Sequence, residues 1–145
     1  MINNFFTYPM RIFFLTSAAC AVLGAAIFFT PTDFVSLHKF IFLHLFLALA
    51  YAGFLLTGLT DWTNFQASLK IHAYILFSLF FISFILAFFS LFLAHCFIAL
   101  FWLYLVLLCV YMIWRDKNDD QLGVLGFLFG ILSFEIYYLI SGNEK

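Results

Sequence analysis

Long apolar runs separated by short polar segments dominate this chain and limit what it can fold into. A helix needs about 20 apolar residues to cross a bilayer, because the hydrocarbon core is about 30 Å thick and each residue adds about 1.5 Å. The longest run is about twice that length, so we expect it to fold back near Ala94 and His95. The sequence predicts an all-α membrane protein, a single domain over residues 1–145 forming a bundle of about five transmembrane helices, approximately 11–30, 40–59, 71–92, 95–114 and 122–140.

The composition supports lipid as the solvent for most of the chain. Of the 145 residues, 67% are hydrophobic and 9% are charged, and the mean hydropathy is +1.15. A soluble domain carries about a quarter charged residues, so too little polar surface exists here to cover a water-exposed globule. The scattered basic residues form no patch for nucleic acid. The expected partners are therefore the lipid bilayer and a membrane protein or second copy of the chain, not nucleic acid.

The basic residues predict how the chain is oriented. Cytoplasmic loops of membrane proteins carry an excess of Lys and Arg. With the N-terminus inside, the basic residues divide four to two: Arg11, Lys70, Arg115 and Lys117 inside, and Lys39 and Lys145 outside. The prediction is a multi-pass protein with its N-terminus in the cytoplasm and its C-terminus outside.

Four ionisable side chains gather toward one end of the predicted bundle. Glu135 lies about five residues from the end of the fifth predicted helix, and His44 lies about four residues into the second. His95 falls at the predicted turn and His38 in the preceding outer loop. Because successive helices alternate in direction, these four residues share the outer third of the bundle whichever way the chain is inserted.

Ionisable residues inside a membrane are costly, so each is a candidate functional group. Imidazole binds heme iron, copper or zinc, and a carboxylate completes the ligand shell or orients a ligand. We therefore predict a metal site at His38, His44, His95 and Glu135. Two alternatives stay open: proton transfer through the same groups, or interfacial histidines beside a protonated Glu135 that bonds a neighbour.

Small side chains within the apolar runs predict packing. Gly126 and Gly130 form a GxxxG pattern in the fifth helix, which lets backbones approach closely. We expect this pattern to act within the bundle rather than in dimerisation. The cysteines Cys20, Cys96 and Cys109 are odd in number and have no metal-binding spacing, so we expect them to pack as small hydrophobes.

Two segments carry a family resemblance. Residues 11–15 read Arg-Ile-Phe-Phe-Leu, and residues 53–57 read Gly-Phe-Leu-Leu-Thr, with Trp62 and Thr63 shortly after. Within residues 5–65 the chain thus resembles the NnrS family, whose first helix opens with an Arg-Pro-Phe-Phe-like run and whose second ends in Gly-Phe-Leu-Leu-Thr.

The resemblance implies a polytopic protein of the bacterial inner membrane, with heme or copper as cofactor and a link to nitric oxide tolerance or respiration. Relatives begin their second helix with a His-x-His-Glu-like cluster. In that register His38 takes the first histidine position, while Phe40 and Ile41 take those of the second histidine and the glutamate. About five spans, where full-length members have about a dozen, imply a short and diverged relative.

Other functions compete with this interpretation. The chain is alternatively a non-catalytic small membrane subunit or assembly factor that packs against a larger membrane complex. A proton-coupled transporter using Glu135 is a third hypothesis, disfavoured by the low polar content. The sequence contains no hydrolase motif, and its loops are too short for a soluble active site. We therefore lean against an enzyme and place any chemistry inside the bundle.

Cysteine labelling tests the predicted orientation. In a background with the native cysteines replaced by serine, we expect a membrane-impermeant maleimide to label the Lys39→Cys variant from outside. The Lys117→Cys variant should react only after the membrane is opened, because an odd number of spans separates the two positions. Labelling of both variants from the same side contradicts the five-span arrangement.

Overall fold

The computed structural model describes residues 9–29, 35–62, 69–116 and 122–141, which are almost entirely helical and contain no strand. Residues 35–62 form one continuous helix with a π-helical segment inside it. The elements in chain order are α1 (Pro9–Phe28), α2 (Val35–Lys39), the π segment (Phe40–Phe46), α3 (Leu47–Trp62), α4 (Leu69–Leu86), α5 (Leu91–Asp116) and α6 (Leu122–Ser141). The all-α prediction is confirmed.

Three of these helices identify the chain as a membrane protein. The stretches Val35–Gly58, Leu91–Arg115 and Gly123–Ser141 are each long and apolar enough to cross a bilayer. The shorter apolar helices Arg11–Ile27 and Lys70–Leu86 accompany them. Large apolar side chains cover much of the outer surface of the bundle, which is the arrangement that a lipid solvent favours.

Helix α5 is central to the arrangement that positions the site. It packs against α4 on one side and α6 on another, while α1 packs against α3 and the π segment. The buried core runs through these contacts and includes Phe13, Phe101 and Trp102. The three cysteines form no disulfide, and Cys20 and Cys109 are buried among core residues.

Helices α1 and α3 approach closely at Gly53. A Cβ atom added there would lie 2.9 Å from the Cβ atom of Phe13, a distance that real side chains avoid. Phe13 is fully buried at this crossing. The two segments that carried the family resemblance, 11–15 and 53–57, therefore pack on each other, and glycine is required where they meet.

The predicted turn near Ala94 and His95 is wrong. The chain turns earlier, and Ser90 precedes the first residue of α5, where its Oγ accepts a hydrogen bond of 3.4 Å from the Leu93 N–H. A serine in this position caps a helix N-terminus. The error arose because the turn itself is apolar apart from Ser90, so the turn was placed at the more polar residue His95. His95 consequently lies inside α5.

The start predicted for the second helix, residue 40, is also wrong. The helix begins at Val35, so His38 lies in α2 and not in a loop. Leu37 is buried, and His38 Nδ1 donates a hydrogen bond of 2.7 Å to the Gly24 carbonyl of α1. The hydrogen bond of His38 holds this extra turn of helix against α1.

The expected packing through Gly126 and Gly130 does not occur among the described residues. Both glycines are exposed, and a Cβ atom added to either would meet no atom within 4 Å. Only 11% of the residues in the most apolar stretch of α6 are buried. Helix α6 contacts the bundle through a different face, which carries the buried Leu128, Leu132 and Glu135.

A matched pair of glycine variants tests this packing. Gly53→Ala should lower the free energy of unfolding by about 1–3 kcal/mol, because the added methyl group forces α1 and α3 apart. Gly126→Ala should leave stability unchanged or raise it by up to about 1 kcal/mol, because alanine favours the helix and meets no neighbour. Chemical unfolding in mixed micelles measures both, and equal effects would contradict the close approach at Gly53.

Candidate metal centre

Three polar side chains from separate elements form one buried group. His44 belongs to the π segment, His95 to α5 and Glu135 to α6. Their exposed fractions are 8%, 3% and 2%, respectively. Because distant parts of the chain supply the three residues, the group exists only in the folded bundle.

Glu135 bridges the two imidazoles. Nδ1 of His44 lies 2.5 Å from Oε1 of Glu135, and Nδ1 of His95 lies 3.3 Å from Oε2, so each ring shares a hydrogen bond with the carboxyl group. An ionised carboxylate can only accept hydrogen bonds, so it holds the proton of each ring on Nδ1. The Nε2 atom of each neutral ring then keeps a lone pair for a ligand-binding role, as in carboxylate–histidine–metal arrangements.

The π segment explains how His44 reaches this position. A π turn is wider than an α turn, and such turns are rare and concentrate at functional sites. It brings the Phe40 ring onto His44, with the centroids 5.5 Å apart and the planes 21° from parallel. On the neighbouring helix, Ser17 Oγ donates to the Phe46 carbonyl at 3.0 Å. This hydrogen bond supports the end of the segment from α1.

Aromatic rings enclose the imidazoles. The rings of His44 and His95 meet edge to face with centroids 4.6 Å apart. Phe40 contacts His95 at 4.6 Å, and Tyr138 lies 4.2 Å from the same ring. These contacts fix the orientation of both rings and exclude water, which strengthens electrostatic interactions within the group.

The donor set fits a transition metal. One ligand atom from each of His44, His95 and Glu135 lies within 4.8 Å of the others, and all three residues are buried. Imidazole and carboxylate ligands suit iron, copper and zinc. A buried carboxylate must be compensated by positive charge or hydrogen bonds, and a cation at this position would add to the compensation from the two imidazoles.

Two other histidines lie apart from the group. His38, a predicted ligand, contacts α1 through Gly24 and stacks on Phe42 with the ring centroids 6.0 Å apart. His72 shares a hydrogen bond of 2.7 Å with the Tyr104 hydroxyl. The structure therefore brings together three of the four predicted ligands, and His38 is not among the residues that converge.

Sequence reasoning missed the rings that enclose the site. Phe40 was considered only as a position in the family register, and Tyr138 was not singled out. Tyr138 follows Glu135 by three residues, and Phe40 precedes His44 by four. Such spacings bring side chains onto one helix face, so an aromatic residue three or four positions from a buried ionisable residue was the available signal.

The fold and this group define a polytopic membrane protein with a buried candidate metal centre. The family model described as NnrS protein matches residues 4–144, nearly the whole chain. The chain therefore belongs to the NnrS family, and the match extends well beyond the segment 5–65 in which the resemblance was first visible. No curated protein and no solved structure matches it.

Removal of the bridging carboxylate should be costly. Glu135→Ala leaves two buried imidazoles without their acceptor, so we expect the free energy of unfolding to fall by about 3 kcal/mol. Ser133→Ala is the matched control, because Ser133 is exposed on the same helix and its Oγ donates to the Phe129 carbonyl of that helix. Its effect should stay within about 0.5 kcal/mol. Similar losses in both variants would contradict the bridge.

Proposed function

We propose that this chain is an NnrS-type metalloprotein of the bacterial inner membrane that binds heme iron or copper and contributes to nitric oxide tolerance or respiration. The observation that carries the proposal is the buried group of His44, His95 and Glu135 in a chain of this family. The N-terminus lies in the cytoplasm and the C-terminus outside in this proposal, with the group toward the outer side.

In this proposal, different residues of the group have different roles. His44 and His95 hold the metal, and Glu135 keeps both rings in a fixed tautomer and offsets the charge of the metal. Phe40 and Tyr138 pack against the rings and keep water away. The bound heme or copper supplies the redox and ligand-binding chemistry that the side chains lack.

The cavity beside the group is suited to a small uncharged reactant that arrives through the membrane. His44 and Glu135 line a cavity whose outer wall belongs to the apolar surface of the bundle. A neutral molecule that dissolves in lipid, such as nitric oxide, can reach the group by this route without crossing water. Ions face the cost of entering an apolar medium.

The second candidate is a non-catalytic membrane subunit or assembly factor. The observation that favours it is the open face of α6, where a Cβ atom added at Gly126 or Gly130 would meet no atom of the described residues within 4 Å. A helix of a larger complex, or of a second copy, can approach closely along such a face. This function does not require a metal.

Metal content and the visible spectrum test the first candidate. We expect the protein purified in detergent to carry stoichiometric iron or copper, with a Soret band if the iron is heme. His44→Ala and His95→Ala should lose the metal, and Glu135→Gln should weaken metal binding about 10- to 100-fold.

His72→Ala is the control, because His72 is a histidine outside the group. It should retain the metal in full. A colourless and metal-free protein, expressed with heme and copper supplied, would sink the proposal and favour the subunit function.

A further inference from the structure

Two serines are buried alongside the members of the candidate metal centre. Among the residues that the structure describes, the buried polar or charged ones are Ser17, His44, Ser83, His95 and Glu135. The side chains of Ser17 and Ser83 are 2% and 0% exposed. A buried hydroxyl group needs a hydrogen-bond partner, because its transfer out of water is otherwise costly. The partner that each serine has therefore indicates its role.

Ser17 bonds to the segment that carries His44. Its Oγ donates a hydrogen bond of 3.0 Å to the carbonyl of Phe46, which is the last residue of the π segment and lies two residues beyond His44. Two residues correspond to about 3 Å along a helix. A carbonyl oxygen has two lone pairs, so it can accept this bond in addition to one from the backbone. The bond from α1 thereby holds the backbone from which His44 projects.

Ser83 makes the corresponding bond beside the other histidine. Its Oγ donates a hydrogen bond of 2.8 Å to the carbonyl of Ala94, the residue directly before His95. Ser83 belongs to α4, and Ala94 lies in the first turn of α5. The bond therefore crosses between two helices and holds the backbone of α5 where His95 begins.

The two helices that provide these serines supply none of the three residues of the group. Those residues come from the π segment, α5 and α6. Helix α1 packs against the π segment, and α4 packs against α5. Each of these two helices thus directs one buried hydroxyl group to the neighbouring element that carries a histidine of the group.

Other hydroxyl groups on the same two helices bond within their own helix. Thr16 Oγ1 donates to the Ile12 carbonyl at 2.8 Å, and Ser78 Oγ donates to the Tyr74 carbonyl at 2.8 Å. A bond to the carbonyl four residues back is a common arrangement for serine and threonine in a helix. A hydroxyl group can therefore find a partner without a second helix. The need for a partner alone does not explain why both buried serines bond a neighbouring element instead.

We propose that Ser17 and Ser83 are positioning residues of the candidate metal centre. Ser17 holds His44, and Ser83 holds His95, at the distance from Glu135 that the bridge requires. The geometry of a site is kept only when its supporting shell fixes the ligands to within about 0.5 Å. The placement of the rings does not depend on a metal, whereas its effect on metal affinity rests on the proposed function.

Nitrogen-15 NMR of the imidazole rings in the metal-free protein tests the positioning role. In Ser17→Ala we expect the ring signals of His44 to shift more than those of His95. In Ser83→Ala the order should be reversed, because that serine holds the other histidine. A general loss of stability would not produce this crossed pattern, since it would affect both rings alike.

Matched variants separate the hydrogen bond from other effects of substitution. Ser17→Cys and Ser83→Cys keep a side-chain atom at the position of the hydroxyl group but offer only a weak donor, so they should shift the same ring as the alanine variants. Thr16→Val and Ser78→Ala are the controls on the same helices, because their hydroxyl groups bond within their own helix. Both controls should leave the signals of the two rings unchanged.

Copper affinity tests the consequence for the metal. With copper(II) alone as the probe and a chelator as competitor, each serine-to-alanine variant should bind about two- to tenfold more weakly, the effect of one hydrogen bond. The two controls should bind copper like the unaltered protein. Unchanged copper affinity in both serine variants would overturn the role in metal binding.

The ring signals and the copper affinity also separate this proposal from the proposed function. The crossed pattern of ring signals in a protein that binds no copper would support the positioning role and count against the proposed function. Equal shifts of both rings in each serine variant would overturn the positioning role. Ring signals of the serine variants that match those of the controls would overturn it as well.

Discussion

A carboxylate buried among membrane-spanning helices has to be compensated, and this requirement organises the structure around Glu135. The side chain is 2% exposed, and each of its oxygens accepts a hydrogen bond from a different imidazole. Only 11% of the apolar stretch of α6 is buried among the described residues. The bridge therefore connects an otherwise loosely packed helix to the π segment and α5, and it fixes the register between them.

Two local irregularities of the fold, the π segment and the early turn before α5, position the residues of the buried group. The π segment aligns His44 with Phe40, and the early turn before α5 places His95 inside a helix, where its ring is held by packing. Side chains on regular elements keep a site more precise than side chains on loops do. The space beside the group is apolar, so ligands dissolved in lipid have access to it, while water has few polar partners there.

The sequence predicted the class of fold because apolar run length is a strong signal in membrane proteins. It also predicted that His44, His95 and Glu135 share one end of the bundle, since alternating helices bring those positions together. It could not give the turn at Ser90, because the surrounding residues differ little in polarity. Nor could it separate His38 from the other histidines, because that depends on which side of the continuous helix faces α1. The Gly126 and Gly130 pattern indicated a helix face that permits close packing. It did not indicate which segment packs there.

One carboxylate in contact with both Nδ1 atoms fixes the tautomer of two buried imidazoles and leaves the lone pair of each ring on Nε2. Long-range nitrogen-15 NMR of the imidazole rings in the metal-free protein tests it most directly. We expect His44 and His95 both to carry their proton on Nδ1 and to leave Nε2 unprotonated. Protonated Nε2 atoms, or signals averaged between tautomers at either ring, would contradict it.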